Sequence, residues 1–130
     1  MRYPSQEFYE KMAVEERDAA NKKLGRKGEK LAVKYLKRGG YKILKRNYVN
    51  PFGEVDIIAQ KEDTVAFIEV KTRLSDVFGA PSEAVNYSRK QRYISAAKYF
   101  FYERAIDCTV RFDIIEIFKG TINHIENAFY

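Results

Sequence analysis

Between residues 54 and 72, apolar side chains fill two short runs, EVDIIA and VAFIEVKT, on either side of Glu62-Asp63. Runs of this length, rich in Val, Ile and Phe, predict two strands joined by a tight turn. Upstream, YKILKRNYV alternates as a strand and NPFG predicts a turn; downstream, TVRFDIIEIF and TINHIE predict two more strands meeting at Lys119-Gly120. Elsewhere helical spacing takes over. In KLGRKGEKLAVKYLKRGG, the residues Leu24, Gly28, Leu31, Ala32, Tyr35 and Leu36 fall on one face, and Gly39-Gly40 supplies a stop. Glycine costs a helix interior about 1 kcal/mol relative to alanine, so Gly28 on that face predicts close packing against another backbone. After a loop, DVFGAPSEAV, the segment SRKQRYISAAKYFFYERA predicts a helix opened by a Ser88–Gln91 capping box. Residues 5–21 predict an acidic, weakly amphipathic helix capped by Ser5, with a thin stripe of Phe8, Met12, Ala13 and Val14.

The predicted order is α-β-β-β-α-β-β with an extra N-terminal helix in front, a mixed sheet flanked by helices and α/β in class. It divides into a helical extension over residues 1–21 and one domain over residues 22–130. A turn at Glu62-Asp63 sets Asp56 opposite Glu69, Glu54 opposite Lys71 and Ile58 opposite Phe67. Val55, Ile57, Ala59, Ala66, Ile68 and Val70 then share one apolar face, because strand side chains alternate. Asp56, Glu69 and Lys71 share the other.

Like charges facing each other in a sheet are destabilising. Two shielded carboxylates at that spacing either share a proton or hold a cation between them. Mg²⁺ takes oxygen ligands, commonly one or two carboxylates with phosphate and water. Lys71, pointing the same way, can stabilise charge on a phosphate or orient an attacking water. The competing reading is a solvated E-x-K charge pair on an ordinary strand. Glu29 is the only acid among residues 22–46 and lies beside the stripe that faces the sheet. It can point toward Asp56; the alternative is a surface pair with Arg26.

Composition sharpens this picture through charge. The net charge is +6, but residues 22–46 alone carry +10 and the segments on either side are each slightly negative. A local basic block points to a polyanion, most simply nucleic acid; a solvated lysine-rich helix face is the plain alternative. Arg26, Lys27, Lys30, Lys34 and Arg46 in this block, with Arg73, Arg89, Lys90 and Arg92 nearer the hairpin, are the candidate phosphate contacts. Tyr41, Tyr48, Phe52, Phe78 and Tyr87 lie near turns, where rings either pack or stack on unpaired bases. One cysteine, Cys108, and one histidine, His124, leave no zinc constellation and make a histidine-based triad a remote option. No apolar run reaches the roughly 18 residues needed to cross a bilayer. The N-terminus also lacks the apolar core of a signal peptide, so a cytoplasmic protein without a membrane partner is expected.

GEVDIIA followed by FIEVKTR resembles the PD-(D/E)xK nuclease superfamily, which has the restriction-endonuclease-like fold. Together, GRKGEKLAVKYLKRGGYKILKRNY, GEVDIIA, VAFIEVKTR, FGAPSEAV, RFDIIEI and HIENAF resemble the YraN-like family of small uncharacterised proteins, relatives of archaeal Holliday-junction resolvases. The resemblance covers about residues 24–130. It implies an endonuclease-like domain acting on DNA, branched DNA included, with Mg²⁺ or Mn²⁺. By position, Asp56 and Glu69 correspond to the metal-binding acids, Glu29 to the supporting helix carboxylate and Lys71 to the catalytic lysine. Gln91, in RKQRY, corresponds to a polar residue that some relatives place near the site. Symmetric cutting of a junction implies a homodimer. Two further readings stand beside this one. The first is a non-catalytic nucleic-acid-binding module on the same scaffold. The second is an interaction protein that dimerises through its N-terminal helix.

Overall fold

A computed structural model describes residues 5–73, 87–104 and 107–128. The expected loop DVFGAPSEAV, with Phe78, lies outside the described residues. Helix α1 (Gln6–Arg38) is followed by strands β1 (Lys42–Asn50), β2 (Gly53–Lys61) and β3 (Thr64–Arg73), then helix α2 (Tyr87–Glu103) and strands β4 (Thr109–Phe118) and β5 (Thr121–Ile125). The fold is a five-stranded mixed sheet flanked by helices, consistent with a restriction-endonuclease-like architecture. Strand order is β1-β2-β3-β4-β5, with β3 and β4 parallel and every other neighbour antiparallel.

The two helical segments read separately before and after residue 21 form one helix of 33 residues. Nothing between Asn21 and Gly25 stops the chain: no proline intervenes, and isolated glycines are tolerated in a helix. The Ser5 hydroxyl accepts the Phe8 N–H at 3.2 Å as the N-cap. At the other end Gly40, at φ 90°, sends its N–H to Lys37 and lets Tyr41 reach the Leu36 carbonyl at 2.9 Å, a closing motif that glycine supports best. The first half of α1 leaves Phe8, Met12 and Val14 exposed. Its second half packs Ala32, Val33 and Leu36 on one sheet face with Ile57, Ala59, Ala66, Ile68, Ile115 and Ile117. Gly28 belongs to this contact, but it approaches a side chain rather than a backbone: a Cβ there would fall on Thr72 Oγ1.

Helix α2 covers the opposite face, where Tyr93, Ala96, Ala97 and Phe100 pack on Tyr48, Val55, Ile58, Val65, Phe67 and Ile114. It already includes Tyr87, so Ser88 lies within the helix and does not cap it. Cys108 packs at the margin of this core. The turns fall where the sequence puts them: Lys61 pairs with Thr64 and Phe118 with Thr121. Lys119 and Gly120 both have positive φ, as a two-residue hairpin favours.

Candidate functional site

The β2–β3 ladder has the expected register, Ile58 opposite Phe67, but its pairs run only from Lys61–Thr64 to Ile57–Ile68. Beyond Ile57 the Asp56 carboxylate takes over, and its Oδ2 accepts the Val70 N–H at 2.8 Å. Asp56 and Glu69 are therefore not a backbone-paired couple. Strand β3 stays paired to β4 through Arg73–Phe118, which sets Lys71 beside Glu116 rather than Glu54.

The cause lies partly on β1. Arg46–Ile57 and Tyr48–Val55 are paired, and they bracket Asn47, which adopts a left-handed conformation at φ 49°. The inward alternation changes phase here. Ile57 packs on the α1 side, whereas Val55 packs with Ile58 on the α2 side, so Val55 does not share the face of Ile57 as the simple alternation predicted. With its amide nitrogen turned to donate, Asn47 reaches Glu54 Oε1 at 3.0 Å and Glu29 Oε2 at 3.1 Å. One asparagine thus ties the α1 acid to the β2 strand.

Asp56 is the electrostatic centre of the group. Burial, against the relief of the Val70 N–H, and the charges of Glu29, Glu69 and Glu54 push its carboxyl up to about 6. Tyr93 of α2 is hydrogen-bonded to the Asp56 backbone, and burial raises its hydroxyl far above the ordinary tyrosine range. Glu69 Oε1 accepts Arg89 from α2 at 2.6 Å, while its Oε2 is buried with no hydrogen-bond partner among the described residues. Burial lowers the Lys71 ammonium, with Glu69 acting in the opposite direction. The donors at hand are carboxylate oxygens, and the set suits a hard cation such as Mg²⁺ or Mn²⁺. The unsatisfied Glu69 Oε2 marks where one more ligand or donor fits. Among the described residues, no three His, Cys, Asp or Glu side chains are gathered closely enough to hold an ion by themselves.

Residues 28–117 match the uncharacterised protein family UPF0102. The chain belongs to this family. A UPF0102 protein of Thermodesulfovibrio yellowstonii is 50% identical over 107 residues, covering 82% of this chain and 96% of the relative. One from Alkaliphilus oremlandii is 49% identical over 116 residues, covering 84% and 99%. One from Clostridioides difficile is 45% identical over 112 residues, covering 84% and 98%.

In this UPF0102 chain the structure gathers Glu29, Asp56 and Glu69 electrostatically, with Lys71 next along β3. Gln91 lies exposed on α2 and makes no hydrogen bond to the acids among the described residues. Of the candidate phosphate contacts, Arg26, Lys27, Lys30, Lys34, Arg46 and Arg92 are exposed and Lys90 is half-buried. Two are already engaged by acids: Arg89 by Glu69, and Arg73 by Glu116 at 2.9 Å. Tyr48 is buried and Tyr41 half-buried, whereas Phe52 and Tyr87 are exposed. Asn47, Glu54 and Tyr93 escaped sequence reasoning as members of the site. An asparagine within an apolar-alternating strand, a residue type that tolerates left-handed backbone, was the available signal.

A second polar cluster lies on the α1 side. Asp113 is fully buried and accepts Arg111 Nε at 2.9 Å and the Asn127 N–H at 3.1 Å, and its Oδ2 lies 2.7 Å from His124 Nε2. His124 Nδ1 meets the Tyr35 hydroxyl at 3.2 Å, and Arg111 also reaches the Tyr41 hydroxyl. His124 is thus a bonded structural histidine.

Proposed function

We propose that this chain is a metal-dependent endonuclease of the cytoplasm, hydrolysing phosphodiester bonds in DNA, branched DNA included. The observation that carries the reading is the buried Asp56 carboxylate at the point where the β2–β3 ladder ends, with the charges of Glu29 and Glu69 acting on it. A buried acid with a raised pKa and other acids acting on it, as Asp56 is, is a recurrent feature of functional sites.

Asp56 and Glu69 would hold Mg²⁺ or Mn²⁺ with support from Glu29, and phosphate and water would complete the shell, as is usual for Mg²⁺. When bound, the ion supplies Lewis-acid polarisation of the phosphate and a lowered pKa for water. Asp56 is kept in place by the Val70 N–H, so its free oxygen has a fixed direction. Lys71 supplies positive charge beside Glu69, where negative charge develops on the phosphate. The exposed stripe of Arg26, Lys27, Lys30 and Lys34 on α1 meets the backbone, with Arg46 and Arg92 adding contacts. Binding then weakens steeply as salt rises, because counterions are released from the polyanion. A homodimer presents two such sites for symmetric cuts.

Cleavage of a four-way junction, a flap and a plain duplex with Mg²⁺ or Mn²⁺ tests the reading. Lys71→Ala is expected to lose activity on whichever substrate the native chain cuts. Identical behaviour of the two proteins on all three would sink the catalytic claim.

One observation favours a second reading, a nucleic-acid-binding module that does not cut. Arg89 already occupies Glu69 Oε1, so the acid has a protein counter-ion in place of a metal. In that case salt-sensitive DNA binding survives Asp56→Ala and no substrate is cleaved.

A further inference from the structure

We infer that α1 pairs antiparallel with α1 of a second copy of this chain, the acidic first half of each helix lying along the basic second half of the other. From Gln6 to Lys23 every described side chain of α1 is exposed, and at 1.5 Å per residue this arm is about 27 Å long. Helices in proteins draw most of their stability from packing one face, and no described side chain of the arm is buried in a single copy. The arm also lies outside the family match, which begins at residue 28, so its role is particular to this chain and not inherited from the shared domain.

Charge names the occupant and its direction. Residues 6–18 hold five acids and two bases, whereas residues 22–38 hold eight bases and one acid. A parallel pair would set acid against acid and base against base; an antiparallel pair sets each half against its opposite. The outward face of α1 carries this pattern residue by residue. Phe8, Met12 and Glu15 precede Ala19, and Lys23, Arg26 and Lys30 follow it, all at three- and four-residue steps and all exposed. The two sides are equally spaced about Ala19. A twofold axis at Ala19, the usual symmetry of a pair of identical chains, therefore sets Glu15 opposite Lys23, Met12 opposite Arg26 and Phe8 opposite Lys30 of the second copy. Alanine lets the helices approach at the axis. The exposed Met12 and Phe8 (40% and 49%) gain cover from the alkyl stems of the facing cations. This face points away from Gly28, Ala32 and Leu36, which pack toward the sheet, so the two domains lie on opposite sides of the helix pair. Lys27 and Lys34 stay at its flank.

A contact spanning residues 8–30, about 33 Å long and about 10 Å wide, covers roughly 350 Å² per copy. That is under half of the about 800 Å² per partner of a stable interface, so the dimer is reversible and depends on concentration. Sedimentation equilibrium of the full chain, from micromolar to millimolar, without nucleic acid or metal, measures it. Raising NaCl to about 1 M, where the screening length falls to about 3 Å, is expected to weaken pairing about fivefold or more. Glu15→Lys and Lys23→Glu each turn two attractive pairs per dimer into two repulsive ones, and each is expected to weaken pairing about fivefold. The two changes in one chain restore it, because the facing charges are exchanged and still opposite. Ala19→Glu, which sets like charges together at the axis, abolishes it. These positions are exposed in the single copy, and far-UV circular dichroism confirms that the variants fold. A chain that stays monomeric at millimolar concentration overturns the inference. So does a dimer that both reversals leave unchanged, as a parallel or differently placed contact would, or one that the exchanged pair fails to restore. The pairing does not rest on the nuclease reading: absence of cleavage on every substrate leaves it standing, and cleavage by a monomeric chain overturns it alone.

Discussion

The Asp56 carboxylate accepts the Val70 N–H at 2.8 Å, substituting a side chain for the next rung of the β2–β3 ladder. This contact fixes an acid at the mouth of the sheet, where burial and three other acids oppose its ionisation. Stability is given up there, and the cost has a sign that can be measured.

Because the folded pKa of Asp56, about 6, lies above its ordinary value of 3.8, the folded chain binds the proton more tightly than the unfolded chain. Stability therefore falls as pH rises through this window, and the loss is complete above it. Asp56→Asn keeps an oxygen for the Val70 N–H and removes the charge. It is expected to stabilise the fold by about 1–3 kcal/mol at pH 8 and by little below pH 4. Thermal unfolding across pH 4–8 without divalent ions checks this, and a flat difference between the two proteins would contradict it.

Arg89 and a divalent ion would compete for Glu69. Removing the arginine leaves a nearly buried carboxylate with no hydrogen bond to either oxygen among the described residues. Since the arginine is itself about a third exposed, the cost of Arg89→Ala is expected near 1–2 kcal/mol, short of the 3–5 kcal/mol for a fully buried pair. Mn²⁺ should recover more stability in this variant than in the native chain. Melting temperatures with and without Mn²⁺ decide the point.

Gly28 and Thr72 form a matched pair. A methyl group at position 28 gains about 1 kcal/mol of helix propensity, yet it collides with a stiff β-branched side chain, and overpacking costs typically 1–3 kcal/mol. Gly28→Ala is expected to be destabilising on balance, and Thr72→Ala in the same chain is expected to reverse the sign. A double-mutant cycle by urea denaturation measures the coupling; simple additivity would show that the collision does not matter.

Asp113 makes the opposite case to Asp56. Burial raises its pKa, but the hydrogen bonds from His124 and Arg111 outweigh burial and hold its carboxyl below the ordinary range. Its stabilising contribution is present above pH 4 and is lost as pH falls through the depressed folded value. Asp113→Ala leaves Arg111 and His124 without their acceptor and is expected to cost about 3–5 kcal/mol. Acid unfolding followed by circular dichroism should lose its cooperative acid limb in that variant.

Much of the arrangement was legible in the residues. The strands, their turns and the hairpin register that sets Ile58 opposite Phe67 follow from apolar spacing and from turn chemistry at Glu62-Asp63 and Lys119-Gly120. The buried side of α1 follows from Leu24, Gly28, Ala32 and Leu36. The length of α1 was not legible, because a charge shift near residue 21 resembles a boundary although nothing there breaks a helix. Nor was the phase change at Asn47 and Asp56, because alternation assumes extended backbone and Asn47 is left-handed.

The sequence by itself determined which side chains carry charge, how strands alternate and where they turn, since these depend on neighbours only a few positions apart. Tertiary structure alone decided that Asn47 from β1 and Arg89 from α2 join Glu29 from α1, Asp56 from β2 and Glu69 from β3 at one end of the sheet. Those residues are separated by up to sixty positions, and what sets their meeting is the packing of two helices on opposite sheet faces and the early end of one ladder.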